Sequence, residues 1–305
     1  MRRGVAVAAA AGALMLAAGS VWWEQGAPER RFVVARVSVA TDSSPTPTYR
    51  LDKVTIAATD GAVMTCALRR PARPAAPHSC IGAVLSGGIE TGRRAALLVA
   101  PSFDGLVLSC DYPWRDPTRL SKLRFLLTLP AVRREVLATP AALQAAANYL
   151  LSRAEVDPTR LAAVGASLGV PAVSAWAARD PRVAAVALVM GGADLEAILE
   201  ANLGGQVRWR ALRWPVAAVL ARLLRPLEPG RTVGRVAPRP LLIIGAAGDE
   251  RIPRRSTELL FTAAGGPKDL LWVGGRHMLP RDTVLLRSIT DSTLAWVRRH
   301  LPSQR

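Results

Sequence analysis

Three side chains in this 305-residue sequence have the types and spacing for nucleophilic catalysis. Ser167 sits in Gly165-Ala166-Ser167-Leu168-Gly169, a Gly-x-Ser-x-Gly string. A serine hydroxyl attacks a carbonyl only when a neighbouring base takes its proton. The chain has three histidines to choose from. His78 falls in a loop rich in Pro and Arg, and His300 falls at the end of the last helical pattern, where a histidine serves the helix dipole. His277 follows an apolar run at 270–273 through Gly274-Gly275-Arg276, and is the candidate base. A histidine base needs a carboxylate that fixes its tautomer and stabilises its cation. Asp249, just beyond the apolar run at 241–244, is the first choice. Glu250 beside it is the alternative, and Asp194 the more remote one.

The elements that would position these groups are legible as alternating strands and helices. Strand patterns cover 32–40, 53–58, 63–68, 81–85, 106–110, 161–164, 183–190, 241–244 and 270–273. Asp60-Gly61 between the second and third of these is a hairpin signal, so that edge of the sheet is expected to be antiparallel. Helical patterns cover 118–129, 140–153, a start at 170–178, a piece near 256–264 and an amphipathic stretch at 283–300. Alternation of this kind implies an α/β fold, with a mainly parallel sheet covered by helices on both faces. Ser167 then lies in a sharp strand-to-helix turn, where flanking glycines let the two elements pass closely and the helix N-terminus faces developing negative charge. His277 and Asp249 follow later strands at the same C-terminal edge, where ligands bind in open α/β sheets.

With these motifs in the order Ser, Asp, His, the sequence over about 54–301 resembles the α/β-hydrolase superfamily. It is similar to its dienelactone-hydrolase-like and acyl-esterase branches, with Ser where dienelactone hydrolases carry Cys. The motifs that carry the resemblance are the turn at 165–169, the acid loop at 248–253 and the histidine loop at 274–277. The resemblance implies an eight-stranded sheet, no metal and no cofactor. Many relatives place His-Gly after the third strand, whereas this chain has Ser86-Gly87-Gly88-Ile89. Because the oxyanion donor there is a backbone N–H, the loss of His is tolerable. The expected donors are the N–H groups of Gly88, or of Ile89 one position on, together with that of Leu168. Residues 194–229 fall where relatives carry a lid. There Trp209, Trp214, Leu220 and Leu223 are expected to line an acyl pocket, or the segment simply covers the core.

The expected function is a serine hydrolase cleaving carboxylic esters, or thioesters, through an acyl-enzyme on Ser167. An apolar lid favours an uncharged acyl ester, and the interspersed arginines admit an anionic group as on a thioester carrier. The rival from another class is a catalytically idle, membrane-anchored binding module of the same fold. A peptidase ranks lower.

Composition bounds the rest. A chain that is 50% hydrophobic but only 5% aromatic must build its core from Ala, Val and Leu. The net charge of +17 is almost all arginine, since lysine occurs only at 53, 122 and 268. The arginines are scattered, as on a solvated surface, and no nucleic-acid module is recognisable. Residues 1–30 differ from the remainder. Arg2 and Arg3 precede an uncharged apolar run at 5–18. This is the layout of a secretory signal, with Ala17-Ala18-Gly19 as a cleavage site before Ser20. Counted over 4–23, with Trp22 and Trp23 at the far interface, the same run is long enough for a membrane anchor. Both readings put the domain at 31–305 outside the cytoplasm, periplasmic or secreted in one case and tethered to the inner membrane in the other. In such a compartment Cys66 and Cys80 would bridge a short loop and leave Cys110 free. Without oxidation all three are small buried hydrophobes.

Overall fold

The computed structural model describes residues 32–41, 48–73, 75–88, 91–113, 122–205 and 207–302. The leader at 1–30 and Ile89 lie outside the described residues, so the readings placed on them have no structural counterpart here.

Among the described residues nine strands form one sheet: β1 Val34–Thr41, β2 Tyr49–Ala58, β3 Val63–Pro71, β4 Cys80–Ser86, β5 Leu106–Cys110, β6 Val156–Ala166, β7 Val183–Val189, β8 Leu241–Ala246 and β9 Lys268–Val273. Their spatial order is β1-β2-β3-β5-β4-β6-β7-β8-β9. The first three pair antiparallel, and β3 pairs antiparallel with β5. All pairs from β5 to β9 are parallel. The sheet therefore has one strand more than the eight expected. The extra strand is β1, which adds to the outer edge of β2 and is exposed along its whole length.

Among the described residues there are seven α-helices: α1 Lys122–Leu151, α2 Gly169–Ala177, α3 Leu195–Asn202, α4 Arg210–Leu223, α5 Pro229–Thr232, α6 Arg254–Ala263 and α7 Thr283–His300. The helical patterns at 118–129 and 140–153 are joined in α1, which runs through both Pro130 and Pro140.

The period-two alternation of a strand explains how Ala, Val and Leu suffice for the core. On β6, Leu161 and Ala163 face one layer while Ala162 and Val164 face the other. On β8, Leu241 and Ile243 divide from Leu242 and Ile244 in the same way. The first layer is covered by α1 and α2, through Leu143, Leu150 and Trp176. The second is covered by α7, through Ile289, Leu294 and Trp296. Central strands buried on both faces read as near-continuous apolar runs, which is what the sequence shows.

The cysteines pair differently from the expectation. Cys66 and Cys110 form the disulfide, and Cys80 is the free, buried thiol. The sheet order is the reason: β5 lies between β3 and β4, so Cys66 stands directly opposite Cys110.

Candidate active site

Strand β6 hands the chain straight to α2, and Ser167 occupies the turn between them. Its φ is +53°, a left-handed conformation that a non-glycine residue adopts only when its surroundings impose it. The surroundings are visible. The Ser167 N–H donates to the Val189 carbonyl at 2.8 Å, and the Ser167 carbonyl accepts from the Val170 N–H at 3.0 Å. The glycines on either side are sterically required. A β-carbon at Gly165 would press on Val173 and on the Gly169 backbone, and one at Gly169 would land on the Ser86 carbonyl. Ser86 ends β4 and is in register with Gly165 on β6, so the turn and the Ser86-Gly87-Gly88 loop are neighbours.

The other two groups arrive on loops that are laced together. Ala247 N–H donates to the Val273 carbonyl and Gly248 N–H to the Gly275 carbonyl, each at 2.9 Å. Gly275 has φ +100°, which glycine alone adopts without cost. This lacing sets Asp249 against His277. The imidazole Nδ1 lies 2.8 Å from Asp249 Oδ2 and 3.0 Å from Oδ1. The imidazole Nε2 lies 2.9 Å from Ser167 Oγ. An ionised carboxylate only accepts, so Nδ1 carries the proton and Nε2 presents its lone pair to the serine hydroxyl. Both the His277 and the Asp249 side chains are almost fully buried, at 2% and 3% exposure. Asp249 Oδ1 also accepts from the N–H groups of Arg251 and Ile252 at 2.9 and 2.8 Å, which holds the carboxylate in place.

Of the two alternatives for the acid, neither meets the imidazole. Glu250 accepts from the His277 backbone N–H at 3.1 Å and lies 3.6 Å from Arg276. The bond from His277 N–H holds the Glu250 carboxyl below its ordinary range, with the nearby Arg276 adding to it. Asp194 caps α3 by accepting from the Ala197 N–H.

Leu168 is the N-cap of α2, a position whose N–H has no intrahelical acceptor. It and Gly88 both line the cavity in front of Ser167. The Gly88 carbonyl accepts from the N–H groups of Thr91 and Gly92 at 3.1 and 2.9 Å. One residue that sequence reasoning missed holds this loop. Tyr112, just past β5, donates its hydroxyl to the Gly87 carbonyl at 2.6 Å. Burial pushes the Tyr112 hydroxyl far above its ordinary pKa, against the opposing pull of a bond with Ser86, so it stays a donor. Its neighbour Asp111 accepts from the Arg93 backbone N–H at 2.8 Å and braces the segment that follows the loop. The only sequence signal for Tyr112 is its place two residues beyond a strand end.

Residues 194–229 form α3, α4 and short helical turns over the site, with no strand among the described residues. Leu220 and Leu223 line the cavity as expected. Trp209 and Trp214 do not: they point outward, 72% and 59% exposed. Trp209 is the N-cap of α4 and Trp214 its fifth residue, whereas the cavity-facing leucines lie in its last two turns. Glu228 ties the segment down by accepting from the N–H groups of Asp194 and Leu195 at 3.0 and 2.8 Å. Among the described residues no cluster of three His, Cys, Asp or Glu is placed to hold a metal ion.

No protein-family model matches this sequence, and no curated protein matches it. Solved structures do. An acetyl xylan esterase from Paenibacillus sp. R4 superposes with a TM-score of 0.62 at 16% identity, over 95% of this chain and 94% of that one. Acetyl xylan esterase 1 from Thermoanaerobacterium sp. gives 0.60 at 15% identity, over 86% and 89%. The esterase domain of a Rhodothermus marinus protein gives 0.57 at 18% identity, over 88% and 100%. At such identities the likeness establishes the fold, and the chain has the α/β-hydrolase fold found in these esterases.

Proposed function

We propose that this protein is a serine hydrolase that cleaves carboxylic esters through an acyl-enzyme. The observation that carries the reading is the chain of short contacts from Ser167 Oγ to His277 Nε2 to Asp249, buried at the floor of a cavity. In the reaction, Ser167 Oγ attacks the ester carbonyl carbon while Nε2 takes its proton. Asp249 stabilises the resulting imidazolium. The carbonyl oxygen becomes an oxyanion held by the N–H of Leu168 and, across the gap, by that of Gly88, in a site where such bonds are worth several kcal/mol. Collapse of the tetrahedral adduct expels the alcohol, which receives the proton from Nε2. Water then repeats the sequence on the acyl-enzyme and releases the acid. A thioester would react by the same steps with a thiol as leaving group. The esterase names of the structural neighbours agree with this class. The test is hydrolysis of p-nitrophenyl esters by wild type and Ser167→Ala. The variant should lose at least about 10⁴-fold in kcat with its fold intact, and near-full activity in it would remove Ser167 from the mechanism.

We also propose that the domain works outside the cytoplasm. The disulfide between Cys66 and Cys110 suits an oxidising compartment, as does the charged and apolar pattern of the leader. Among the described residues no helix is long and apolar enough to cross a membrane; the anchor reading rests on the apolar run at 4–23. The mass of the protein purified from its own host decides. A start near Ser20 is expected, an intact Met1 in the membrane fraction would indicate an anchor, and an intact Met1 in the cytosol would refute export.

A further inference from the structure

The cavity above Ser167 has a volume of about 630 Å³. At roughly 30 Å³ for each water-sized group, it has room for about 20 such groups, far more than an acetyl ester needs. Its walls come from two sides. Towards the helical segment they are Val132, Val136, Ile198, Leu199, Leu220 and Leu223. Towards α7 they are Leu98, Leu286, Ile289 and Leu294. Several of the polar side chains among the lining residues are bonded back to the protein. Thr290 and Thr293 donate their hydroxyls to the Leu286 and Ile289 carbonyls at 2.8 and 2.7 Å. Asn202 donates to the Ile198 and Arg251 carbonyls at 2.7 and 2.8 Å. Arg133 spends its Nε–H on the Leu223 carbonyl at 2.8 Å. A sugar would need hydrogen bonds from such groups, and its hydroxyls would lose water here without replacement.

We infer that the substrate is an ester of a medium-chain fatty acid of about 8–14 carbons, with the acyl chain lying against α1, α3 and α4. The inference rests on the ester-hydrolase reading given above and adds the substrate class to it. Each methylene buried in such a pocket favours binding about fourfold. A chain that fills this arm of the cavity, the part lined by α1, α3 and α4, should therefore outstrip acetate by a wide margin.

The experiment is a series of p-nitrophenyl esters from acetate to myristate, kept below their aggregation limits, with kcat/KM measured for each. The octanoate or decanoate should exceed the acetate by at least tenfold. In Leu223→Trp, which fills the arm, the decanoate-to-acetate ratio should fall at least tenfold. Leu199→Trp, at a half-buried position on α3, probes the same arm if Leu223→Trp does not fold, with circular dichroism establishing which variants do. A profile that peaks at acetate and depends on Ser167 would overturn the acyl-chain inference and leave the hydrolase reading standing. So would a folded filling variant whose ratio matches wild type. Failure to hydrolyse any ester of the series would overturn both.

Discussion

Replacing Gly169 by Ala puts one methyl group at the place where the site is tightest. The new β-carbon would land on the Ser86 carbonyl oxygen and lie 3.1 Å from Ser86 Oγ. The obstacle is backbone, fixed by the pairing of Ser86 with Gly165, so no side-chain rotation relieves it. Alanine has a better helix propensity than glycine by up to about 1 kcal/mol, but overpacking against backbone costs about 1–3 kcal/mol or more. The steric term wins, and the protein should be destabilised. For a domain of this size each kcal/mol moves Tm by about 2–4 °C, so Tm should fall by about 2–12 °C. The relief must come from retreat of either the α2 N-terminus with Ser167 or the Ser86-Gly87-Gly88 loop. A displacement of about 1 Å at reacting groups costs on the order of 100-fold in rate, so kcat/KM should fall by about that factor. Differential scanning calorimetry and p-nitrophenyl butyrate hydrolysis measure the two effects. Gly274→Ala is the control, because a β-carbon there meets open space, and its stability should stay within about 0.5 kcal/mol of wild type. A Gly169→Ala protein with wild-type Tm and wild-type kcat/KM would refute the close approach of α2 to β4.

The other expectations are simpler to state. Asp249→Asn should lower kcat by roughly 10⁴-fold, whereas Glu250→Gln, which meets the His277 backbone N–H and Arg276 but not the imidazole, should cost less than about tenfold; steady-state kinetics with the reverse ranking would make Glu250 the acid. Tyr112→Phe removes the bond to the Gly87 carbonyl and should lower kcat by up to about tenfold with KM little changed, and an unaltered kcat would show that the loop needs no such brace. Titration with a thiol reagent under denaturing, non-reducing conditions should find one free thiol, in Cys80, and none in Cys80→Ser. Two or more thiols in wild type would show that Cys66 and Cys110 are not joined.

The grouping of the candidate site was legible in the sequence because each proposed member is announced locally. Ser167, Asp249 and His277 each follow an apolar run through small residues, and parallel strands bring the C-terminal ends of such runs to one edge. The disulfide was misread because its partner is set by sheet order. Cys80 is nearer to Cys66 in sequence, but the chain inserts β5 between β3 and β4, and the position opposite Cys66 belongs to Cys110. The strand patterns in the sequence already numbered nine, and the count of eight came from the resemblance. The added strand β1 shows that an edge can be extended without touching the site. Helix α1 was read as two pieces because proline is unfavourable inside a helix, yet its C-terminal half is packed against the sheet through Leu143 and Leu150. Hydrophobicity alone does not decide whether Trp209 and Trp214 line the cavity or lie elsewhere on the covering segment. Which face of a short covering helix meets the cavity depends on how that helix is docked, and the anchors that dock it, such as Glu228, act over distances the sequence does not display.

The claim that Ser167 is an activated nucleophile is tested most directly by a fluorophosphonate probe on the purified protein. With His277 taking its proton, Ser167 Oγ should attack phosphorus and displace fluoride, attaching one phosphonyl group per chain, and peptide mass spectrometry should place it within the segment carrying Ser167. The label should be absent from Ser167→Ala and strongly slowed in His277→Ala. Absence of labelling in the folded wild-type protein, or equal labelling of Ser167→Ala, would contradict the account.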